Sequence, residues 1–151
     1  MENIRIATAQ FENRSADKAY TLDAIERISK QAAAAGAQAI AFHECSVTGY
    51  TFAMHLSKEQ MLELAEYIPE GESIVRLREI AERNRIAVLA GLFEKDKEGN
   101  LYKAYVCVDK DGLKAKFRKL HPFVNAHILP GNQYCVFDLY GWKCGILICY
   151  D

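Results

Sequence analysis

Apolar positions recur along this chain in two rhythms, and their alternation sketches a fold. Ile4–Gln10 places Ile4, Ile6, Ala7 and Ala9 in a largely apolar run suited to a covered strand. The polar segment Glu12–Ser15 turns the chain. Leu22, Ile25, Ile28 and Ala32 then fall at spacings of three and four, which predicts a helix from about Asp17 to Ala35. Gly36 is placed to end that helix with a positive φ at little steric cost. Ala37–His43 reads as a second strand, so the opening is a strand-helix-strand unit with a right-handed crossover and a parallel pair.

Beyond it the elements shorten. Ser57-Lys-Glu-Gln60 is a capping-box pattern that opens a short helix through Met61, Leu64 and Ala65. Pro69-Glu-Gly71 interrupts the chain before a third helix, Ser73–Arg83, with Ile74, Leu77, Ile80 and Ala81 on its inner face. Arg85–Phe93 reads as a buried strand. The turns Glu98-Gly-Asn100 and Asp109-Lys-Asp-Gly112 then separate Leu101–Val108 from Leu113–Phe117, giving three strands that are at least partly antiparallel. Tyr134–Leu139, the turn Tyr140-Gly141 and Lys143–Cys149 form a further hairpin. The sum is an α/β fold with helices on a many-stranded mixed sheet, and the helices available do not cover both of its faces.

Composition narrows the class. A chain of 151 residues, half apolar and 26% charged, is one domain's worth and neither disordered nor membrane-spanning. The start Met-Glu-Asn runs straight into a strand, which is read as the absence of a secretion signal. The net charge of -1, with no basic cluster beyond Lys114–Lys119, argues against a nucleic-acid partner. Cysteines at 45, 107, 135, 144 and 149 form no CxxC pair and are odd in number, so a disulfide framework or structural zinc is not expected. The four histidines show no metal-ligand spacing. A reducing cytoplasm fits this usage.

Three runs end in groups of different chemical type. Glu44 follows Ala39–His43, Lys119 follows Leu113–Phe117, and Cys149 closes the apolar run that starts at Gly145. In α/β proteins functional side chains gather at the carboxyl ends of strands. Leu113, Ala115, Phe117 and Lys119 share a face, so an inward Phe117 brings Lys119 to the site while Lys116 and Arg118 point away. A thiol nucleophile needs a proton acceptor, a positive neighbour and a stabiliser for an oxyanion. Glu44, Lys119 and the backbone N–H of Tyr150 can fill those roles around Cys149. Taken singly, each has a plainer reading: a free cysteine is usually a small buried hydrophobe, and Glu and Lys are usually surface charges.

The segments His43-Glu-Cys-Ser-Val-Thr-Gly-Tyr50, Phe117-Arg-Lys-Leu-His121, Pro130-Gly131 and Cys149-Tyr-Asp151 resemble those of the nitrilase superfamily, the carbon–nitrogen hydrolases. The resemblance runs through the whole chain, residues 1–151, and covers the amino-terminal portion of a typical family domain. It implies a four-layer α-β-β-α sandwich, here incomplete, and a Glu-Lys-Cys triad at Glu44, Lys119 and Cys149. It also implies dimers or larger homo-oligomers. His43 stands where the family commonly has proline. Many members carry a second glutamate before the Pro-Gly, whereas this chain has no carboxylate between His121 and Pro130. Asn125 or His127 is then expected to act there as a polar contact, and Tyr50 to help read the substrate's far end.

The chemistry implied is hydrolysis of a small amide or N-carbamoyl substrate through a thioester on Cys149, with no metal or organic cofactor. Cys-Tyr-Asp resembles the amidase and carbamoylase branches, and nitrile hydrolysis by the same triad is the alternative. A different class of reading is a non-catalytic interaction or regulatory domain on the same fold, or an inactive truncated product. Expressed alone, the 151 residues are expected to expose an apolar sheet edge and to be a poor enzyme.

Overall fold

The computed structural model describes residues 3–151, so Met1 and Glu2, which belong to the start read above, lie outside the described residues. Strands β1 (Ile6–Ala9), β2 (Ala39–Phe42), β3 (Ala87–Lys95), β4 (Leu101–Asp109) and β5 (Gly112–Arg118) form a five-stranded sheet in that order. β1, β2 and β3 run parallel, and β3, β4 and β5 run antiparallel. Strands β6 (Cys135–Leu139) and β7 (Trp142–Ile146) make a separate two-stranded sheet rather than extending the first. The strand pattern alone reads as one many-stranded mixed sheet, whereas the two sheets found here, packed against each other, agree with the incomplete α-β-β-α sandwich that the family resemblance implies.

Helices α1 (Lys18–Ala34), α2 (Lys58–Leu64) and α3 (Glu72–Asn84) begin and end where local chemistry dictates. Asp17 caps α1 by accepting the amide of Tyr20, and Gly36 at φ +82 takes the chain out of it. Ser57 and Gln60 cap α2 reciprocally. At α3 the carboxylate of Glu66 accepts the amide and hydroxyl of Ser73, an anion set against unsatisfied helix donors. Among the described residues, no helix is long and apolar enough to cross a membrane.

The pleat decides what each face of the large sheet buries. Ile40, Val88, Val106 and Val108 point toward α1 and α3 and close a core with Leu22, Ile25, Ile74, Leu77 and Ile80. Their neighbours Ala39, Ala87 and Cys107 face the other way, where Leu139, Ile146 and Ile148 of the hairpin region cover them. Branched residues thus meet the helices, while the second sheet meets the small Ala39, Ala87 and Cys107 together with Phe117. The Tyr140-Gly141 turn has positive φ at both residues (51 and 82), the mirror-image geometry that matches strand twist in a tight hairpin. A third cluster, with Cys45, Met61, Leu64, Phe93 and Ile128, packs beneath a 3₁₀ turn at Thr51–His55 and α2.

One boundary differs in a way that bears on function. The apolar run predicts a last strand that reaches Cys149, but β7 stops at Ile146. Leu147 is exposed, Ile148 is buried, and Cys149 sits in a turn with φ +51. An apolar run reads the same whether its residues alternate along a strand or leave the ladder one by one.

Candidate active site

Glu44 lies two residues beyond β2, and the sequence makes room for it. A Cβ at Gly91 of β3 would approach the amide nitrogen of Cys45 to 2.5 Å, so only glycine lets the turn after β2 lie against β3. Ser46 Oγ accepts the amide of Gly91, and Gly91 O accepts the amide of Val47, which fastens that turn. Lys119 lies one residue beyond β5 and, like Phe117, is buried on the hairpin face. Lys116 and Arg118 point away, both paired with the buried Glu94.

Behind Lys119 a second glycine is required. A Cβ at Gly131 would come within 2.2 Å of the carbonyl oxygen of Arg118, and the amide of Gly131 donates to Lys119 O at 2.8 Å. The Pro130-Gly131 pair thus seats a loop directly on the backbone that carries the lysine.

The groups meet at a shared edge. Lys119 Nζ is 3.1 Å from Glu44 Oε1 and donates to the carbonyl of Ile148 at 2.8 Å. That carbonyl belongs to the residue before Cys149, so the Lys119 side chain touches the turn that carries the thiol. Glu44 and Cys149 line one cavity of about 290 Å3, walled by Ala41, Phe42, Leu89, Tyr105 and the segment Gly145–Ile148. Cys149 is exposed, whereas burial raises the thiols of Cys45 and Cys107 to about 12. The amide of Tyr150 donates to no other group among the described residues. Its side chain is exposed.

A larger cavity of about 810 Å3 lies at the opposite end of the sheet, beside Gln38, Arg85, Asp109 and Tyr140. It contains no thiol. Two of its three acids are already paired, Asp109 with Lys114 at 3.3 Å and Asp111 with Lys110 at 2.7 Å. Chemistry therefore favours the smaller cavity.

Two residues not anticipated from sequence complete the arrangement. Asp151, with a fully buried side chain, accepts the amides of Leu120 at 3.1 Å and His121 at 2.9 Å, and the amide of Ile148 at 3.3 Å. Burial opposes its charge, but these hydrogen bonds outweigh burial and hold its carboxyl below the usual carboxylate range. Lys103 of β4 is buried at 1% exposure with Nζ 3.4 Å from Glu44 Oε1. Its parity with Leu101 and Cys107 in an otherwise apolar strand was the available signal.

The anticipated substrate contacts separate. Tyr50 stands over Lys103 at 4.2 Å and faces Phe123 edge-on. Burial foremost, then the charges of Glu44, Cys45 and Cys149, push its hydroxyl up to about 12, so it remains a hydrogen-bond donor at neutral pH. Asn125 is not brought to the site. Its amide donates to the carbonyls of Ala53 and Leu56 and its oxygen accepts the amide of His127, so it braces the 3₁₀ turn. His127 is exposed and lies near Glu59.

The profile of the family described as carbon-nitrogen hydrolase matches residues 5–151. A protein from Pyrococcus abyssi named nitrilase is 32% identical over 151 residues, covering 98% of this chain and 56% of that protein. An omega-amidase from Xenopus tropicalis is 31% identical over 163 residues, covering all of this chain (100%) and 56% of its own length. An alanine-for-cysteine mutant of the amidase from Nesterenkonia sp. AN1, solved in complex with butyramide, superposes with a TM-score of 0.80 at 26% identity. That match covers 98% of this chain and 56% of the amidase. A related structure of that enzyme has the acetamide moiety of fluoroacetamide added covalently at its active-site cysteine. The chain therefore spans about half the length of the relatives it matches.

Proposed function

Because the chain belongs to the carbon–nitrogen hydrolase family, we propose that Glu44, Lys119 and Cys149 act as base, oxyanion-facing ammonium and nucleophile in hydrolysis of a small amide or N-carbamoyl compound. One observation carries this reading: Lys119 holds Glu44 Oε1 at 3.1 Å and the carbonyl preceding Cys149 at 2.8 Å, at a cavity that Glu44 and Cys149 share.

The steps follow from these roles. Glu44 takes the proton of the Cys149 thiol, and the sulfur attacks the amide carbon to form a tetrahedral oxyanion. Lys119 and the Tyr150 N–H stabilise that oxygen, where losing one donor typically costs about 3 kcal/mol of barrier. The C–N bond breaks, and ammonia or an amine departs with the proton from Glu44. The same carboxylate then takes a proton from water, the resulting hydroxide attacks the thioester carbon, and the thiol is released with the acid product.

An amide ranks first because relatives named omega-amidase and amidase match the chain, the latter with an amide in its complex. The Pyrococcus abyssi relative named nitrilase supports a second reading, nitrile hydrolysis by the same groups. In either reading the partner is a small molecule, and the full-length protein assembles as a homo-oligomer in the cytoplasm. A panel of amides, N-carbamoyl compounds and nitriles, scored for ammonia release by the full-length protein, decides the class. Amide or carbamoyl turnover that disappears in Cys149→Ala supports the first reading. Nitrile turnover without amide turnover replaces it with the second, and turnover that survives Cys149→Ala overturns the triad.

A further inference from the structure

Lys103 is a charged side chain where packing alone would call for an apolar one. It lies on β4 directly across from Lys119, whose amide donates to Lys103 O at 2.9 Å, next in register to the Ala104 and Arg118 pair. Both side chains are buried, at 1% and 0% exposure. Like charges opposite one another on adjacent strands repel, and burial removes the water that would screen them. The structure resolves this with a single carboxylate: Glu44 Oε1 is 3.4 Å from Lys103 Nζ and 3.1 Å from Lys119 Nζ.

The two ammoniums are not equivalent. Lys119 has a second acceptor in the Ile148 carbonyl. Lys103 has Glu44 as its hydrogen-bond acceptor and stands over two ring faces, Tyr50 at 4.2 Å and Phe123 at 5.0 Å. The rings hold the cation through their quadrupoles and leave its hydrogen-bonding capacity directed at Glu44.

We propose that Lys103 is a positioning residue for the base: with Lys119 it clamps Glu44 Oε1, so that Oε2 is the oxygen presented to the Cys149 thiol. This rests on the roles proposed above for Glu44 and Cys149. The clamp has an electrostatic side as well. Two ammoniums against one carboxylate leave the cluster with surplus positive charge, which faces the negative charge that develops when the thiol proton moves to Glu44. Lys103 itself neither gives nor takes a proton, and it acts through Glu44.

The test compares the full-length protein with Lys103→Met, which removes the charge, and Lys103→Gln, which keeps a donor of shorter reach. Amide turnover, the rate of Cys149 alkylation by iodoacetamide and the unfolding midpoint are measured for each. The expected result for Lys103→Met is a loss in kcat of about tenfold or more with KM within about twofold, and slower alkylation of Cys149. Lys103→Gln, which retains hydrogen bonding, should fall between, and it replaces Lys103→Met if that variant does not fold. A kcat within about twofold of wild type in both variants overturns the proposal. So does a lower unfolding midpoint with unchanged alkylation, because that reports a purely structural lysine. If the wild-type protein hydrolyses no amide, the reading of the substrate fails, and the alkylation comparison alone decides the role of Lys103.

Discussion

Asp151 Oδ1 accepts the amide of His121 at 2.9 Å, tying the turn that holds Cys149 to the segment that holds Lys119. The same oxygen accepts Leu120 N, and Oδ2 accepts Ile148 N. One carboxylate thereby fixes the relative position of the turn with Cys149 and the segment with Lys119, which follow strands of different sheets. Asp151→Ala should lower amide turnover about a hundredfold, since a displacement near 1 Å at a reacting atom costs that much. Asp151→Asn keeps one acceptor oxygen and should lose less. Steady-state rates of the two variants, with circular dichroism to confirm folding, check the ordering.

Thiol reactivity should follow burial. Burial raises Cys45 and Cys107 to about 12, while Cys149 is exposed. Timed alkylation at pH 8 followed by peptide mass spectrometry should find Cys149 modified first. Cys45 and Cys107 should react only after denaturant is added. Early labelling of Cys45 would mean that the turn after Glu44 opens in solution.

Gly131→Ala should destabilise the protein by about 1–3 kcal/mol, as overpacking commonly does. The added Cβ would lie 2.2 Å from Arg118 O, and backbone on both sides leaves little room to move. Because that backbone leads into Lys119, turnover should fall along with the unfolding midpoint. Thermal unfolding and amide turnover of the single variant test both effects together.

Acid sensitivity should centre on Glu66. Burial opposes its charge, but hydrogen bonds from Lys18 and from the hydroxyl and amide of Ser73 outweigh it and hold the carboxyl below the usual range. A folded value below the unfolded one gives stability that is present above the unfolded pKa and lost as pH falls through the folded pKa. The contribution should therefore fade below about pH 4. Glu66→Gln should reduce stability at pH 7 and flatten its fall on acidification. Urea unfolding at a series of pH values measures both.

How much of this was legible in the chain depends on the range of the interaction concerned. The crossover of β1, α1 and β2 follows from Leu22, Ile25 and Gly36, because helical periodicity and a positive-φ glycine are local facts. Glu44, Lys119 and Cys149 could be singled out because each follows an apolar run. Lys103 could not be told from a surface lysine on that basis. Its burial depends on Glu44, Tyr50 and Phe123, all distant in sequence. Asn125 misled for the same reason. A polar residue in a loop near Pro-Gly reads as available, yet its amide is taken up by carbonyls at Ala53 and Leu56. The hairpin was legible from Tyr140-Gly141, whereas its place in a second sheet came only through the family resemblance, since local turn chemistry says nothing about which neighbour a strand declines to pair with.

The contact between Lys119 and Glu44 also bears on the order in which the molecule is made. Both lie well upstream of Cys149, and all five strands of the large sheet precede the hairpin in the chain. Synthesis proceeds at about 5–20 residues per second, so the roughly thirty residues between Lys119 and Cys149 take about 2–6 seconds to follow. In that interval the acid–ammonium pair and its sheet can assemble with no reactive thiol yet beside them. Asp151 emerges just after the cysteine and latches its turn in place. Cys149 thus reaches a sheet whose own residues were all made before it, and the thiol has a structured neighbour to settle against as its turn forms.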